Sequence, residues 1–202
     1  LEVLARLRAP GARRWYTGAA FGLVYQAIEV AAVWASSTGS LVPRISATAL
    51  LLLIYTIYVL LPPVLWPERA VVRVVGVLAY WTLTCVMFPL IGVYTIWIWP
   101  LVVVLIGFTW LPRPAGFGLL GAVVGVQVLV AWGAAWSGAI AFAPYVTLSV
   151  GVAMIGFGGL IQRNAQLRAA QEEVTRLAVS EERARLARDL HDSLGHSLTV
   201  VA

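Results

Sequence analysis

Residues 139–161 read AIAFAPYVTLSVGVAMIGFGGLI, and residues 162–194 read QRNAQLRAAQEEVTRLAVSEERARLARDLHDSL. The first stretch carries no charge and, as a helix rising 1.5 Å per residue, matches the ~30 Å hydrocarbon core of a bilayer. The second contains neither Gly nor Pro and is rich in Ala, Leu, Glu, Gln and Arg, all strong helix formers. An apolar helix of membrane length therefore runs on into a long charged helix. This junction sets the fold class: an all-α integral membrane protein whose last span continues as a cytoplasmic coiled-coil and dimerisation helix.

Working backwards, five more apolar stretches cover roughly 15–35, 45–61, 70–88, 91–111 and 116–136, giving about six transmembrane helices. Only Pro89 and Gly92 mark a turn between the third and fourth. Arginine placement tests the count. Arg6, Arg8, Arg13 and Arg14 precede the first span, Arg69 and Arg73 follow the second, Arg113 follows the fourth, and Arg163 and Arg168 follow the sixth. With six spans all of these share one side and only Arg44 lies on the other, so the positive-inside rule puts both termini in the cytoplasm of a multi-pass cell-membrane protein. With five spans, either the Arg-rich start or the charged tail would face outward. Trp15, Trp34, Trp66, Trp110 and Trp136 fall near span ends, as interfacial aromatics do. The outer loops are too short for an extracellular ligand-binding domain.

Composition excludes other classes. Of the 202 residues, 61% are hydrophobic and 11% charged, against about 25% charged in soluble domains; the mean hydropathy is +0.89. Residues 1–161 hold 8 of the 14 Arg and 3 of the 9 acidic residues, and residues 162–202 hold the remaining 6 and 6. The net charge of +5 sits at span flanks or is matched by Glu, so no basic groove for nucleic acid is expected. The single Cys85 forms no intrachain disulfide and no metal cluster. The opening LEVLARLRAPGARR has no apolar run and is not a cleavable signal peptide. With Leu1 at one end and Ala202 inside a continuing helix, the chain reads as a fragment open at both ends.

Beyond the last span, Leu167, Ala170, Val174 and Leu177 fall at 3-4-3 spacing, a short coiled-coil seam. That register then meets Glu181, and a new stripe begins with Leu186, Leu190 and Leu194. The break near SEERAR (180–185) is either a solvated stretch between two packing regions or a weak segment that changes register. Residues 181–199, EERARLARDLHDSLGHSLT, carry the chemistry. An imidazole, with a pKa near 6.5, is nucleophilic at neutral pH, and a carboxylate beside it can take the proton that its second nitrogen releases. The i, i+5 spacing of His191 and His196 does not suit zinc.

This stretch resembles the phosphoacceptor box of sensor histidine kinases, in the subfamily of nitrate sensors and the desaturase thermosensor. The resemblance covers about 20 residues. It implies that His191 is the phosphoacceptor, that Asp192 is the general base for autophosphorylation, and that His196, where relatives often have Gln, orients water in a phosphatase reaction. It implies a homodimer, a cytoplasmic response regulator as partner, and ATP with Mg2+ bound by a catalytic domain. These 202 residues contain no Gly-rich ATP loop or Asn-bearing helix, so no cofactor or metal site is expected within them, and the fragment alone is expected to be inactive. The domain plan is 1–14 cytoplasmic, 15–161 a membrane sensor, 162–185 a signalling linker, and 186–202 the start of the phosphoacceptor domain. The alternative is a small transporter or channel, or an inactive receptor, with a coiled-coil assembly tail; Glu29 and Gln127 within spans permit transport, but neither explains HDSLGH.

Other candidates lie in the membrane region. Glu29, with Gln26 a turn earlier, is a costly carboxylate in lipid and a candidate sensing residue. Arg73 is expected to snorkel to the cytoplasmic surface. Gly18/Gly22 and Gly121/Gly125 have small-xxx-small spacing for close helix contact within a chain or between chains. Pro100 and Pro144 are expected to kink their spans.

Overall fold

The computed structural model describes the backbone of residues 2–36, 40–136 and 138–201, and their side chains apart from positions 10, 36, 184 and 187–201. The described residues are almost entirely helical, with short turns between helices and no strand among them. In order they form α1 (Glu2–Leu7), α2 (Pro10–Ala19), α3 (Gly22–Ser36), α4 (Leu41–Leu65), α5 (Ala70–Thr84), α6 (Phe88–Ile91), α7 (Trp99–Phe108), α8 (Arg113–Gly133) and α9 (Ala143–Val201). Tighter 3-10 turns occupy Cys85–Met87, Gly92–Ile98 and Gly138–Phe142. The chain divides into two units, Leu1–Gly159 and Leu160–Ala202.

Five stretches among the described residues are long and apolar enough to cross a membrane, four of them Gly11–Ala35, Leu41–Leu65, Arg113–Gly133 and Gly138–Arg183. The other, Ala70–Phe108, holds both the third and fourth expected spans. It is not one straight crossing. Arg73, at the start of α5, donates to the Thr109 and Trp110 carbonyls at 3.1 and 2.7 Å, just past the end of α7. The segment therefore leaves and returns at the same end of the bundle. Its turn is at Gly92, with φ 58° and ψ −140°, a region open in practice only to glycine. At 1.5 Å per helical and ~2 Å per 3-10 residue, each arm is about 30 Å long. So the described residues hold five such stretches in place of six separate helices, and the third folds back on itself, which keeps Arg69, Arg73 and Arg113 at one end.

That shared end is held by specific contacts. Arg6 bonds the Val64 carbonyl at 3.1 Å and Glu68 at 2.7 Å, as well as Glu2 at 2.6 Å. Trp66 stacks on Trp110 at 5.1 Å, and its Nε1 donates to the Phe108 carbonyl at 2.8 Å. Arg6, Arg69, Arg73 and Arg113 thus collect at one end. Arg44 sits at the other, 5.9 Å over the Trp34 ring.

Two packing expectations change. Trp15 does not face outward: it is buried, its Nε1 donates to the Val59 carbonyl at 2.7 Å, and its ring meets Tyr58 and Phe108. A single indole can hydrogen-bond and still pack on both faces, so it serves the core here. The glycines at Gly121 and Gly125 approach nothing, and Gly18 also faces open space; only Gly22 packs, against the Tyr55 ring. The close helix contacts use other glycines. A Cβ on Gly107 would stand 2.6 Å from the Met154 carbonyl oxygen, and one on Gly158 would collide with the Gly107 carbonyl. These bring α7 and the membrane half of α9 backbone to backbone.

Candidate functional site

The phosphoacceptor candidates lie in the second unit. Their backbone is helical, within α9, which has no Pro or Gly between Ile161 and Gly195 to end it. His191 and Asp192 are adjacent, and His196 follows Asp192 by four residues, a little over one turn. The side chains of His191, Asp192 and His196 lie outside the described residues, so the helix fixes their register only.

Upstream, residues 160–183 are exposed throughout. The seam proposed from spacing stands open: Leu167, Val174 and Leu177 are 60, 65 and 52% exposed. Three large apolar side chains on one face of a charged helix in water have a face without a partner. The flanking charges are locally paired, Arg176 with Glu173 at 2.8 Å and Arg185 with Glu182 at 2.9 Å. Exposed i, i+3 pairs add only a few tenths of a kcal/mol to a helix. They favour helix through the 180–185 break without giving it an apolar partner.

In the membrane unit, Gln127 is fully buried, and its Nε2 donates to the Ile96 carbonyl at 2.9 Å and to Thr147 Oγ1 at 2.8 Å. Both amide donors are spent on tying α8 to the 3-10 turn and to α9. Thr147 is the partner that sequence reading missed, since no spacing links positions 127 and 147. Tyr25 donates to the Trp97 carbonyl and also interacts with Glu29, one turn later. Glu29 is half-buried, and Gln26 beside it is buried. Arg73 does more than snorkel. Its two bonds satisfy carbonyls at the end of α7, where a cation also suits the helix dipole.

Comparison with known proteins falls on the same short stretch as the box. Residues 182–202 match the family model described as Histidine kinase. This segment is similar to histidine kinases over those 21 residues. Among curated proteins, Sensor histidine kinase YvfT of Bacillus subtilis (strain 168) is 49% identical over 41 residues, which is 20% of this chain and 11% of that protein. The chain thus spans about a tenth of this relative's length. No solved structure matches. The segment that matches the histidine kinase family model thus follows a run of apolar helices in the same chain.

Proposed function

We propose that the chain is the membrane-sensing and phosphoacceptor part of a two-component sensor histidine kinase, with His191 as the acceptor. The single observation that carries this is the coincidence of the matched segment, 182–202, with a helix bearing His191 and Asp192 side by side. One imidazole nitrogen attacks the γ-phosphorus of ATP. The N–P bond forms, the bond to the bridging oxygen breaks, and ADP leaves. Asp192 takes the proton released from the other nitrogen. His196 orients water when the partner's phosphoaspartate is hydrolysed. ATP and Mg2+ come from a catalytic domain, and the phosphoryl group passes to an Asp of a response regulator.

Dimerisation follows from the open seam of Leu167, Val174 and Leu177, which a second copy covers. The Arg-rich end of the bundle faces the cytoplasm, with both termini there. A stimulus alters packing in the bundle, and α9, which contributes to both the bundle and the box, carries the change. Gln127, one of the two intramembrane polar residues of the transporter reading, gives both amide donors to helix packing and leaves its Oε1 buried without a partner among the described residues.

The test supplies a dimerisation helix and an ATP-binding domain of this kinase type by fusion after Ala202, and follows label from [γ-32P]ATP. Acid-labile, base-stable label is expected, and it should vanish in His191→Gln. Label that persists in that variant would sink His191 as acceptor. Asp192→Asn should slow labelling by about 10²-fold or more, the usual worth of a positioned base, with the dimer intact. His196→Ala should impair dephosphorylation of the regulator more than autophosphorylation.

A further inference from the structure

The membrane unit contains a cavity of about 500 Å3 between α2–α3, α4, α7 and the membrane half of α9, within the size range of small-molecule sites. It is lined almost entirely by apolar and aromatic side chains, with one charged residue, Arg14. It is half open, and its rim includes Phe21 and Phe157, 82 and 52% exposed. In a membrane this makes it a groove facing the acyl chains.

Its length is set by three elements. Lining residues run from Arg14 to Tyr25 on α2–α3, from Phe157 back to Val146 on α9, and from Phe108 back to Pro100 on α7. At 1.5 Å per residue these are about 16, 16 and 12 Å. That is the depth of one leaflet, half of the ~30 Å core. Phe108 and Phe157 are in ring contact at 6.3 Å, and Phe108 lies next to the carbonyls that Arg73 caps. The Arg14 end is therefore the Arg-rich end of the bundle. Among the described residues, no hydrogen bond or ion pair engages the Arg14 guanidinium. A free cation at interfacial depth, above an apolar slot one leaflet deep, has the charge and shape of an anionic lipid's counterpart. Gly18 lines the slot midway, and a Cβ there would meet nothing within 4 Å. A side chain at this position would have occupied the space.

We propose that this groove binds an anionic phospholipid of the leaflet at the Arg-rich end, one acyl chain lying along α2–α3 and α9 and the headgroup phosphate against Arg14. The site is independent of the phosphoacceptor reading, and its test reads binding alone. The whole chain is placed in nanodiscs of phosphatidylcholine doped with phosphatidylglycerol carrying a diazirine on its acyl chain. After irradiation, adducts are mapped by peptide mass spectrometry.

Adducts are expected on Phe21, Val150 and Met154 in excess over Leu129 and Trp132, which lie on α8 at 63 and 71% exposed and are more open than the half-buried Val150 and Met154. Arg14→Gln should lower the groove adducts about five-fold, the worth of one basic residue at an anionic surface, and leave those on α8 unchanged. Gly18→Leu should abolish them by filling the slot, with the helical circular dichroism retained. Groove labelling no greater than on Leu129 would overturn the proposal, as would equal labelling by the matching phosphatidylcholine probe. A Cys placed at Phe21 that forms a chain-to-chain disulfide on oxidation, with no lipid adducts in the groove, would overturn it in favour of a second copy.

Discussion

Replacing Gly107 by Ala should loosen the membrane bundle, and replacing Gly121 by Ala should not. A Cβ at Gly107 would lie 2.6 Å from the Met154 carbonyl oxygen and 2.7 Å from its carbon. Both atoms are backbone, so they move only if α7 and α9 part. Overpacking of this kind costs about 1–3 kcal/mol. At Gly121 a Cβ meets nothing within 4 Å. Each substitution also gains the helix propensity of Ala over Gly, about 0.5–1 kcal/mol. That gain is common to both and cancels in the comparison. The two variants should therefore differ by about 1–3 kcal/mol, or a few degrees in Tm at roughly 2–4 °C per kcal/mol for a chain of this size. Thermal unfolding of the purified chain in nanodiscs, followed by circular dichroism, reads this directly, with Gly121→Ala at or above the parent. Equal Tm values, or a higher one for Gly107→Ala, would refute a backbone-to-backbone contact between α7 and α9.

Three further outcomes are expected. Gly92→Val should destabilise the folded-back segment by about 1–3 kcal/mol, because φ 58° with ψ −140° is strained for a β-branched residue; a Tm unchanged from the parent would contradict the turn. Arg73→Met keeps the apolar stem but leaves the Thr109 and Trp110 carbonyls without their donor, a loss of about 1–2 kcal/mol for partly exposed charge-assisted bonds; urea-dependent accessibility of a Cys placed at Pro112 checks it. Val174→Asp should weaken self-association through the exposed seam at least ten-fold while leaving the bundle's Tm unaltered, as read by analytical ultracentrifugation in detergent; the same association constant as the parent would mean that the seam is not the dimer contact.

Much of the candidate site was legible because its signals are local. HDSLGH sits in a run of strong helix formers, and neither the helix nor the register of His191, Asp192 and His196 needs tertiary information. The seam was legible for the same reason, since spacing along one helix decides which side chains share a face. The polar network around Gln127 was not legible. It joins positions 31 and 20 residues away, and hydrogen bonds between elements leave no periodic trace. Small-xxx-small spacing at Gly121/Gly125 marks no contact within the chain, because it records that two glycines share a face, not that another helix of the same chain lies against it. The contacts fall instead at Gly107 and Gly158, which are on different helices and share no spacing.

The sequence by itself determined the membrane class, the helical content and the charged helix that follows the last span. Each rests on composition or on periodicity within one element, and the free energy of apolar residues in lipid settles them before any element meets another. For residues 70–108, Pro89, Gly92 and the arginine placement pointed to two arms, and only the tertiary structure shows the contacts that close them. Their hydropathy is uniform, so nothing in it distinguishes one long helix from two arms. The choice is made where Arg73 reaches the carbonyls past α7 and where Gly92 supplies a positive φ. The lipid-facing groove arises in the same way, as space left between four elements whose residues are unremarked in the sequence.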